Sequence, residues 1–324
     1  MTRRHLLHER VLEYARSHHL FDGVDTVMVA VSGGPDSMVL LDLLTCVRAA
    51  FGISLSVGHV DHGIRPESAQ DAAFVVAHAS SLGLPVFVRQ TDCPALVRAT
   101  HGSLEEVART ERSRLLKEMA AQAGAKIVAT GHTATDQAET VLMRLVRGTG
   151  PLGLSGIEAR RADGFVRPIM CLTRREVRTY AARHRLQCLQ DSTNMDQRYL
   201  RNRIRLRLLP MLRRMNPRIE FLLSDLAQDV RGLAQLVREQ ARSGLVVEKD
   251  AVRILQNGND GWMPYRILAA FEALTGAPLG LSRTHVDSVA GLTETGKRVA
   301  LPRGISARKE RCGVSLVRKD SKRN

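Results

Sequence analysis

The chain has 324 residues, 44% of them apolar and 4% aromatic, with 48 Lys and Arg against 33 Asp and Glu and a net charge of +15. That length supports a sizeable core and two domains or slightly more, and the charge favours a polyanionic partner, with solubility as the plain alternative. Five scattered cysteines (Cys46, Cys93, Cys171, Cys188, Cys312) without a Cys-x-x-Cys pair indicate neither a disulfide framework nor a zinc or iron–sulfur site, and they fit a reducing cytoplasm. No apolar run reaches membrane-spanning length, so a cytoplasmic protein without membrane association is expected.

Residues 1–19 are basic but amphipathic. Leu6, Leu7, Val11, Leu12 and Tyr14 fall on roughly one face, and Glu9 and Glu13 stand among the bases. This reads as a packed first helix; a signal peptide would need an uninterrupted apolar core, and a transit peptide would be poor in acids.

Next comes the stretch around which the remainder is organised. An apolar run of strand length, 27–31, stops at Ser32-Gly33-Gly34-Pro35-Asp36-Ser37 and restarts as an apolar run too long for a second strand. Strand, tight loop and buried helix in that order make a phosphate cradle: glycine lets the backbone approach a ligand, and the helix start aims N–H groups at it. Asp36 and Ser37 fall where a helix is capped, so an ordinary capped turn is the alternative reading. The common NTPase loop is excluded because no lysine follows Gly34. A near-copy of that loop at Gly291-Leu292-Thr293-Glu294-Thr295-Gly296-Lys297-Arg298 ends in Arg where a hydroxyl is required, and it follows a helical pattern instead of a strand.

From 25 to 170 the pattern alternates. Strand-like runs at 27–31, 53–59, 85–88, 126–130 and 164–170 are separated by helical runs opening near 36, 68, 103 and 136, which predicts an α/β fold with a doubly wound, mainly parallel, Rossmann-like sheet. Capping boxes are predicted at Ser103–Glu106 and at Thr173–Glu176. In such sheets ligands sit beyond the carboxyl ends of the strands, so the motifs that follow strands carry most weight. One is the loop above. A second is His59-Val60-Asp61-His62-Gly63-Ile64-Arg65: His59 and Asp61 share a strand face while His62 points away, which argues for lining a nucleotide cleft over holding a metal. The third is Gly131-His132-Thr133-Ala134-Thr135-Asp136-Gln137-Ala138-Glu139-Thr140-Val141-Leu142-Met143-Arg144. Asp136 and Glu139, three apart, face the cleft from a first helical turn, and dipole stabilisation is the competing account of both.

Residues 158–214 contain fifteen arginines, no lysine and five acids. Guanidinium forks suit phosphate oxygens and exposed bases. Arg201, Arg203, Arg205 and Arg207 alternate as on a strand, but the following Leu-Leu-Pro-Met-Leu fits a helix end equally well. Beyond Pro217 a long amphipathic helix, 219–242, leads to shorter helices at 264–274 and 282–292 and to a small hairpin sheet at 297–301, 304–307 and 313–317. Two domains are expected, 1–215 for catalysis and 216–324 as a smaller, mainly helical module for RNA docking.

Ser32-Gly33-Gly34-Pro35-Asp36-Ser37 resembles the SGGxDS motif of the N-type ATP pyrophosphatases (PP-loop proteins, adenine nucleotide α-hydrolase type). Together with His59–Arg65, His132–Thr140, Arg147–Gly156, Arg167-Pro168, Asp191–Asn194 and Arg201-Asn202-Arg203-Ile204-Arg205, in that order, it resembles the tRNA(Ile)-lysidine synthetase family over residues 29–210. That family's pattern usually reads His-His-x-Asp-Asp-Gln-x-Glu-Thr, where this chain has Thr133 and Thr135 for the second His and the first Asp. The resemblance implies an ATP- and Mg2+-dependent ligase that adenylates the C2 oxygen of the wobble cytidine in a CAU-anticodon isoleucine tRNA and then joins free L-lysine to it. It implies ATP contacts from Ser32, Gly33, Gly34, Pro35, Asp36, Ser37, His59, Asp61 and His132, with Asp36 and Ser37 in the chemistry and Asp36 near the metal. It further implies lysine held by the catalytic-site acids Asp136 and Glu139, and tRNA held by Arg144, Arg201, Arg203 and Arg205. A 2-thiolating PP-loop enzyme and a non-catalytic RNA-binding module are the rival readings, and the oligomeric state, a homodimer included, stays open.

Overall fold

A computed structural model describes residues 3–61, 63, 68–100, 104–189, 199–255, 261–276 and 280–318. Contacts divide the chain into two compact units, 1–228 and 229–324, the division falling downstream of residue 215 and inside a long helix.

The first unit follows the alternation in the sequence. In chain order it contains α1 (Arg3–Ser17), β1 (Thr26–Ala30), α2 (Pro35–Phe51), β2 (Ser54–Asp61), α3 (Ser68–Ser81), β3 (Val86–Gln90), α4 (Cys93–Thr100), α5 (Leu104–Gln122), β4 (Ile127–Ala129), α6 (Ala134–Arg147), α7 (Pro151–Leu154), β5 (Phe165–Val166) and α8 (Arg174–Arg183). The five strands form one parallel sheet in the order β3-β2-β1-β4-β5. Strand order reverses on either side of β1, so the crevice beyond the carboxyl ends of β1 and β4 is the topological switch point where such sheets take ligands. Val27, Met28 and Val29 are wholly buried, as are Met38, Leu40 and Leu41 of α2, because a parallel strand and its crossover helix are covered on both sides. Val11 and Ala15 of α1 join that core, as its amphipathic pattern predicts.

One expectation changes, one element is added and one open reading is decided. The fifth strand, expected over 164–170, forms only at Phe165–Val166; Pro168 has no N–H for a ladder and the chain turns there. Residues 93–100, for which no element was predicted, form α4. The alternating arginines are not on a strand: α9 (Leu200–Arg203), a π-helical turn (Ile204–Leu208) and α10 (Leu209–Met215) run on as one helical segment. The predicted capping box at Thr173 is present, with Thr173 Oγ1 accepting from Glu176 N and the Glu176 carboxylate accepting from Thr173 N. The one at Ser103 lies outside the described residues, as does Asp191–Asn194.

After α11 (Ile219–Arg242), the second unit contains β6 (Leu245–Val247), β7 (Ala251–Leu255), α12 (Met263–Thr275), α13 (Arg283–Ala290), β8 (Arg298–Leu301), β9 (Ile305–Glu310) and β10 (Gly313–Arg318). Its sheet is antiparallel, ordered β6-β7-β10-β9-β8, so the expected hairpin region is three strands of a five-stranded sheet. Val252, Ile254, Ile267, Phe271, Val314 and Leu316 make its core. The near-copy of an NTPase loop at 291–298 lies between α13 and β8, helix first and strand second, the reverse of a nucleotide loop, and Lys297 pairs with Glu294 at 3.8 Å.

Candidate active site

At the carboxyl end of β1 the chain turns sharply at Gly33, whose φ of +84° suits glycine; a Cβ there would also lie 2.4 Å from Leu189 Cδ1. The helix cap is not Asp36 or Ser37, as expected, but Gly34, followed by Pro35 as the first residue of α2, and no side chain caps the helix. Ser37 turns inward instead: its Oγ accepts from Ser32 N at 3.1 Å and donates to Gly34 O at 2.9 Å, closing the loop on itself. A helix start that no side chain caps presents N–H groups and positive dipole charge to an external anion. Asp36 stands at its rim, and its Oδ1 is buried without a hydrogen bond among the described residues.

Beside it, the β4–α6 turn approaches so closely that a Cβ on Gly131 would lie 3.0 Å from the Asp36 carbonyl carbon. Glycine at 131 thus lets the two helix starts meet. Here α6 is closed by a capping box: Thr133 Oγ1 accepts from Asp136 N at 3.3 Å, and Asp136 Oδ2 accepts from Thr133 N at 2.9 Å and from Thr133 Oγ1 at 2.7 Å.

Asp36, Asp136 and Glu139 are brought together by three arginines from distant segments. Arg174, at the start of α8, donates Nε to Asp36 Oδ2 (3.3 Å), Nη1 to Glu139 Oε1 (3.2 Å) and Nη2 to Asp136 Oδ1 (2.8 Å). Arg201 reaches Glu139 Oε2 (2.8 Å) and Asp136 Oδ1 (2.9 Å), and Arg205 forks onto both oxygens of Glu139 at 2.6 and 3.0 Å. The Asp136 and Glu139 side chains are 8% and 0% exposed, so these are charge pairs largely removed from water. Burial pushes the Asp136 carboxyl up, but the Arg174 and Arg201 guanidiniums outweigh it and hold Asp136 well below the usual carboxylate range. Asp36 goes the other way, raised by burial against the pull of Arg174. Burying so many charges adds little to stability over an apolar filling, whereas removing a single member strands the others.

A family model described as a PP-loop domain matches residues 7–212. A tRNA(Ile)-lysidine synthase from Dehalococcoides mccartyi is 34% identical over 92% of this chain and 67% of its own length, and one from Thermosipho africanus is 37% identical over 72% and 54%. This chain belongs to the tRNA(Ile)-lysidine synthase family of PP-loop proteins. It spans about half to two thirds of the length of these relatives. A solved U34-tRNA thiolase, NcsA from Methanococcus maripaludis with its [4Fe-4S] cluster, shares the fold alone, with a TM-score of 0.58 at 16% identity over 70% of this chain and 78% of the other. Membership in the PP-loop family implies use of ATP.

In a PP-loop chain the remaining predicted residues fall into two groups. His59 and Asp61 are buried and bonded to backbone: His59 Nδ1 lies 2.8 Å from Val31 O at the end of β1, whereas Asp61 Oδ1 accepts from Gly63 N at 2.9 Å within its own turn. His132 sits in the cleft, its Nδ1 2.9 Å from Thr130 Oγ1; burial lowers its pKa to about 4 despite nearby Asp136, so the ring is neutral at pH 7. Arg144 is turned to structure: its Nη1 donates to the carbonyls of Gly153 and Gly156, which with the Gln137–Ile157 pair of hydrogen bonds fastens the 150–157 loop to α6. Arg203 is exposed, on a different face from Arg201 and Arg205. Sequence reasoning overlooked Arg174, visible only as the first residue after a capping threonine, and Glu220, which carried no motif; Thr135 was noted only as a departure from the family pattern. No helix among the described residues is long and apolar enough to cross a membrane.

Proposed function

We propose that this chain catalyses ATP-dependent ligation of lysine to the wobble cytidine of a CAU-anticodon isoleucine tRNA. The observation that carries the reading is the pairing of an uncapped helix start at α2 with a carboxylate cluster at α6, one arranged for polyphosphate and the other for a cation. In the first step the C2 oxygen of the cytosine attacks the α-phosphorus of ATP and pyrophosphate leaves. In the second the neutral ε-amine of lysine, having lost a proton, attacks C2, and AMP departs with that oxygen.

The buried Asp36 Oδ1, which accepts no hydrogen bond among the described residues, fits a hard cation, and Asp36 would hold Mg2+. The ion would neutralise triphosphate charge. Within Ser32–Ser37 the backbone N–H groups of Gly33, Gly34 and Asp36 orient the phosphates, and Ser37 keeps that loop shut. Asp136 and Glu139 hold the lysine ammonium in place of the guanidiniums of Arg201 and Arg205, which become available to RNA phosphate. Asp136, kept ionised, suits a cation-holding role, and neutral His132 adds no repulsion.

Residues 1–215 supply this chemistry in our reading, and the C-terminal part docks the tRNA. The relatives do not favour the 2-thiolating alternative. Mass spectrometry of nucleosides from tRNA incubated with the protein, ATP and lysine tests the proposal: a lysine-dependent lysidine peak is expected, and its absence from a preparation that binds both ATP and tRNA would overturn it.

A further inference from the structure

We propose that Glu220 is a positioning residue for the carboxylate cluster, acting through Thr135 on Arg174; the effect on lysine use rests on the lysine-binding reading above. Glu220 lies in the first turn of α11, 4% exposed, and touches none of Asp36, Asp136 or Glu139 in any described hydrogen bond. Its Oε1 accepts from Thr135 Oγ1 and from Arg213 Nη2 (2.7 Å), and its Oε2 accepts from Arg213 Nε (2.8 Å). A hydroxyl has one proton. With that proton given to Glu220, the lone pairs of Thr135 Oγ1 are left to accept from Arg174 N at 2.9 Å. That amide belongs to the first residue of α8, an N–H with no partner inside its own helix. The relay thus fixes the backbone of Arg174, whose side chain touches all three carboxylates.

The same contact gives a physical meaning to Thr135. An aspartate at 135, the residue in the pattern that this chain resembles, would set a second buried carboxylate against Glu220, and buried like charges repel. This chain places one carboxylate at that point and brings it from α11. A reciprocal exchange therefore follows: Thr135→Asp alone is damaging, and Thr135→Asp with Glu220→Gln returns the charge to α6 and restores the cluster.

The test uses the full chain in four variants, Thr135→Val, Glu220→Gln, Thr135→Asp and the double Thr135→Asp/Glu220→Gln, each with a thermal melt, a KM for lysine and the exchange rate of the Arg174 amide by NMR. In the three single variants we expect Arg174 exchange and the lysine KM both to rise about tenfold or more, with the double variant returning to within about threefold of the parent. Thr135→Val adds no charge and keeps the shape, so it carries the test if Glu220→Gln fails to fold. Unchanged Arg174 exchange in folded Thr135→Val overturns the relay whatever the catalytic result. Faster exchange with an unchanged lysine KM shows Glu220 to be structural only, and a double variant no better than the worse single one overturns the exchange of roles. A parent protein that makes no lysidine overturns the functional reading, and the exchange data then still decide the relay.

Discussion

Two helices start side by side at the carboxyl edge of the sheet, α2 after β1 and α6 after β4, and they start in opposite ways. Gly34 and Pro35 leave α2 without a side-chain cap, while Thr133 and Asp136 close α6 with a reciprocal one. At the uncapped start Pro35 has no N–H and Ser37 N is engaged with Gly34 O, so the N–H groups of Gly33, Gly34 and Asp36 are the ones offered to an anion that comes and goes. The closed start has engaged its N–H groups within the protein, Thr133 N on Asp136 Oδ2, Asp136 N on Thr133 Oγ1 and Ala134 N on Leu172 O, and with the anion built in, its outer oxygen attracts cations: Arg174 and Arg201 both lie within 2.9 Å of Asp136 Oδ1. Neighbouring helix ends with the same dipole are thereby made complementary, one for polyphosphate and one for ammonium or guanidinium.

The largest effect should come from the α2 side. Asp36→Ala and Ser37→Ala are expected to cut tRNA-dependent pyrophosphate release about a hundredfold or more while tRNA binding, measured by filter retention, stays close to normal. Near-parent release in both would break the comparison at its first half.

On the α6 side, Glu139→Gln removes the carboxylate charge that three guanidiniums share and should lower stability by about 3–5 kcal/mol in chemical denaturation, with the lysine KM raised about tenfold or more and the ATP KM little changed. Asp136→Asn should act in the same direction, losing its cap as well. Pairing Glu139→Gln with Arg205→Met should recover part of the stability without recovering lysine use. If the double variant regains both, Glu139 serves only to balance arginine.

A pH series sharpens the electrostatics. His132 has its pKa lowered from 6.5 to about 4, so the unfolded chain binds the extra proton first and stability must fall as pH drops from 6.5 towards 4. Asp136, held below its ordinary 3.8, adds stability above that pH which is lost only in stronger acid. His132→Gln should flatten the denaturation midpoint between pH 6.5 and 4, and an unchanged slope there would remove His132 from the account.

The smallest effect concerns RNA. Exposed Arg203, changed to Ala, should lower the slope of log K against log salt for tRNA binding by about 0.7 to 0.9. Arg201→Ala and Arg205→Ala should change that slope as much only if the bound RNA draws them off Asp136 and Glu139. Equal slopes for Arg205→Ala and the parent would mark Arg205 as a permanent partner of Glu139.

What could be read along the chain was whatever depends on neighbours in sequence. Residues 27–41 show a strand, a glycine turn and a buried helix because apolar run length and turn residues are local properties, and the same holds for the alternation that makes the sheet and for the arginine-rich stretch. The local signal at 251–255 was also there, Val252 and Ile254 alternating with Arg253 and Leu255, although no element was predicted between 242 and 264. Tertiary structure alone decided the partners. Nothing near Glu139 in sequence points to Arg174, Arg201 and Arg205, and nothing near Thr135 points to Glu220, because each pairing joins segments 35 to 85 residues apart and depends on how helices cross the end of the sheet. Charge type is written in the chain, but a charge acquires its role from the distance and burial of its counterions, and those exist only once the chain has folded.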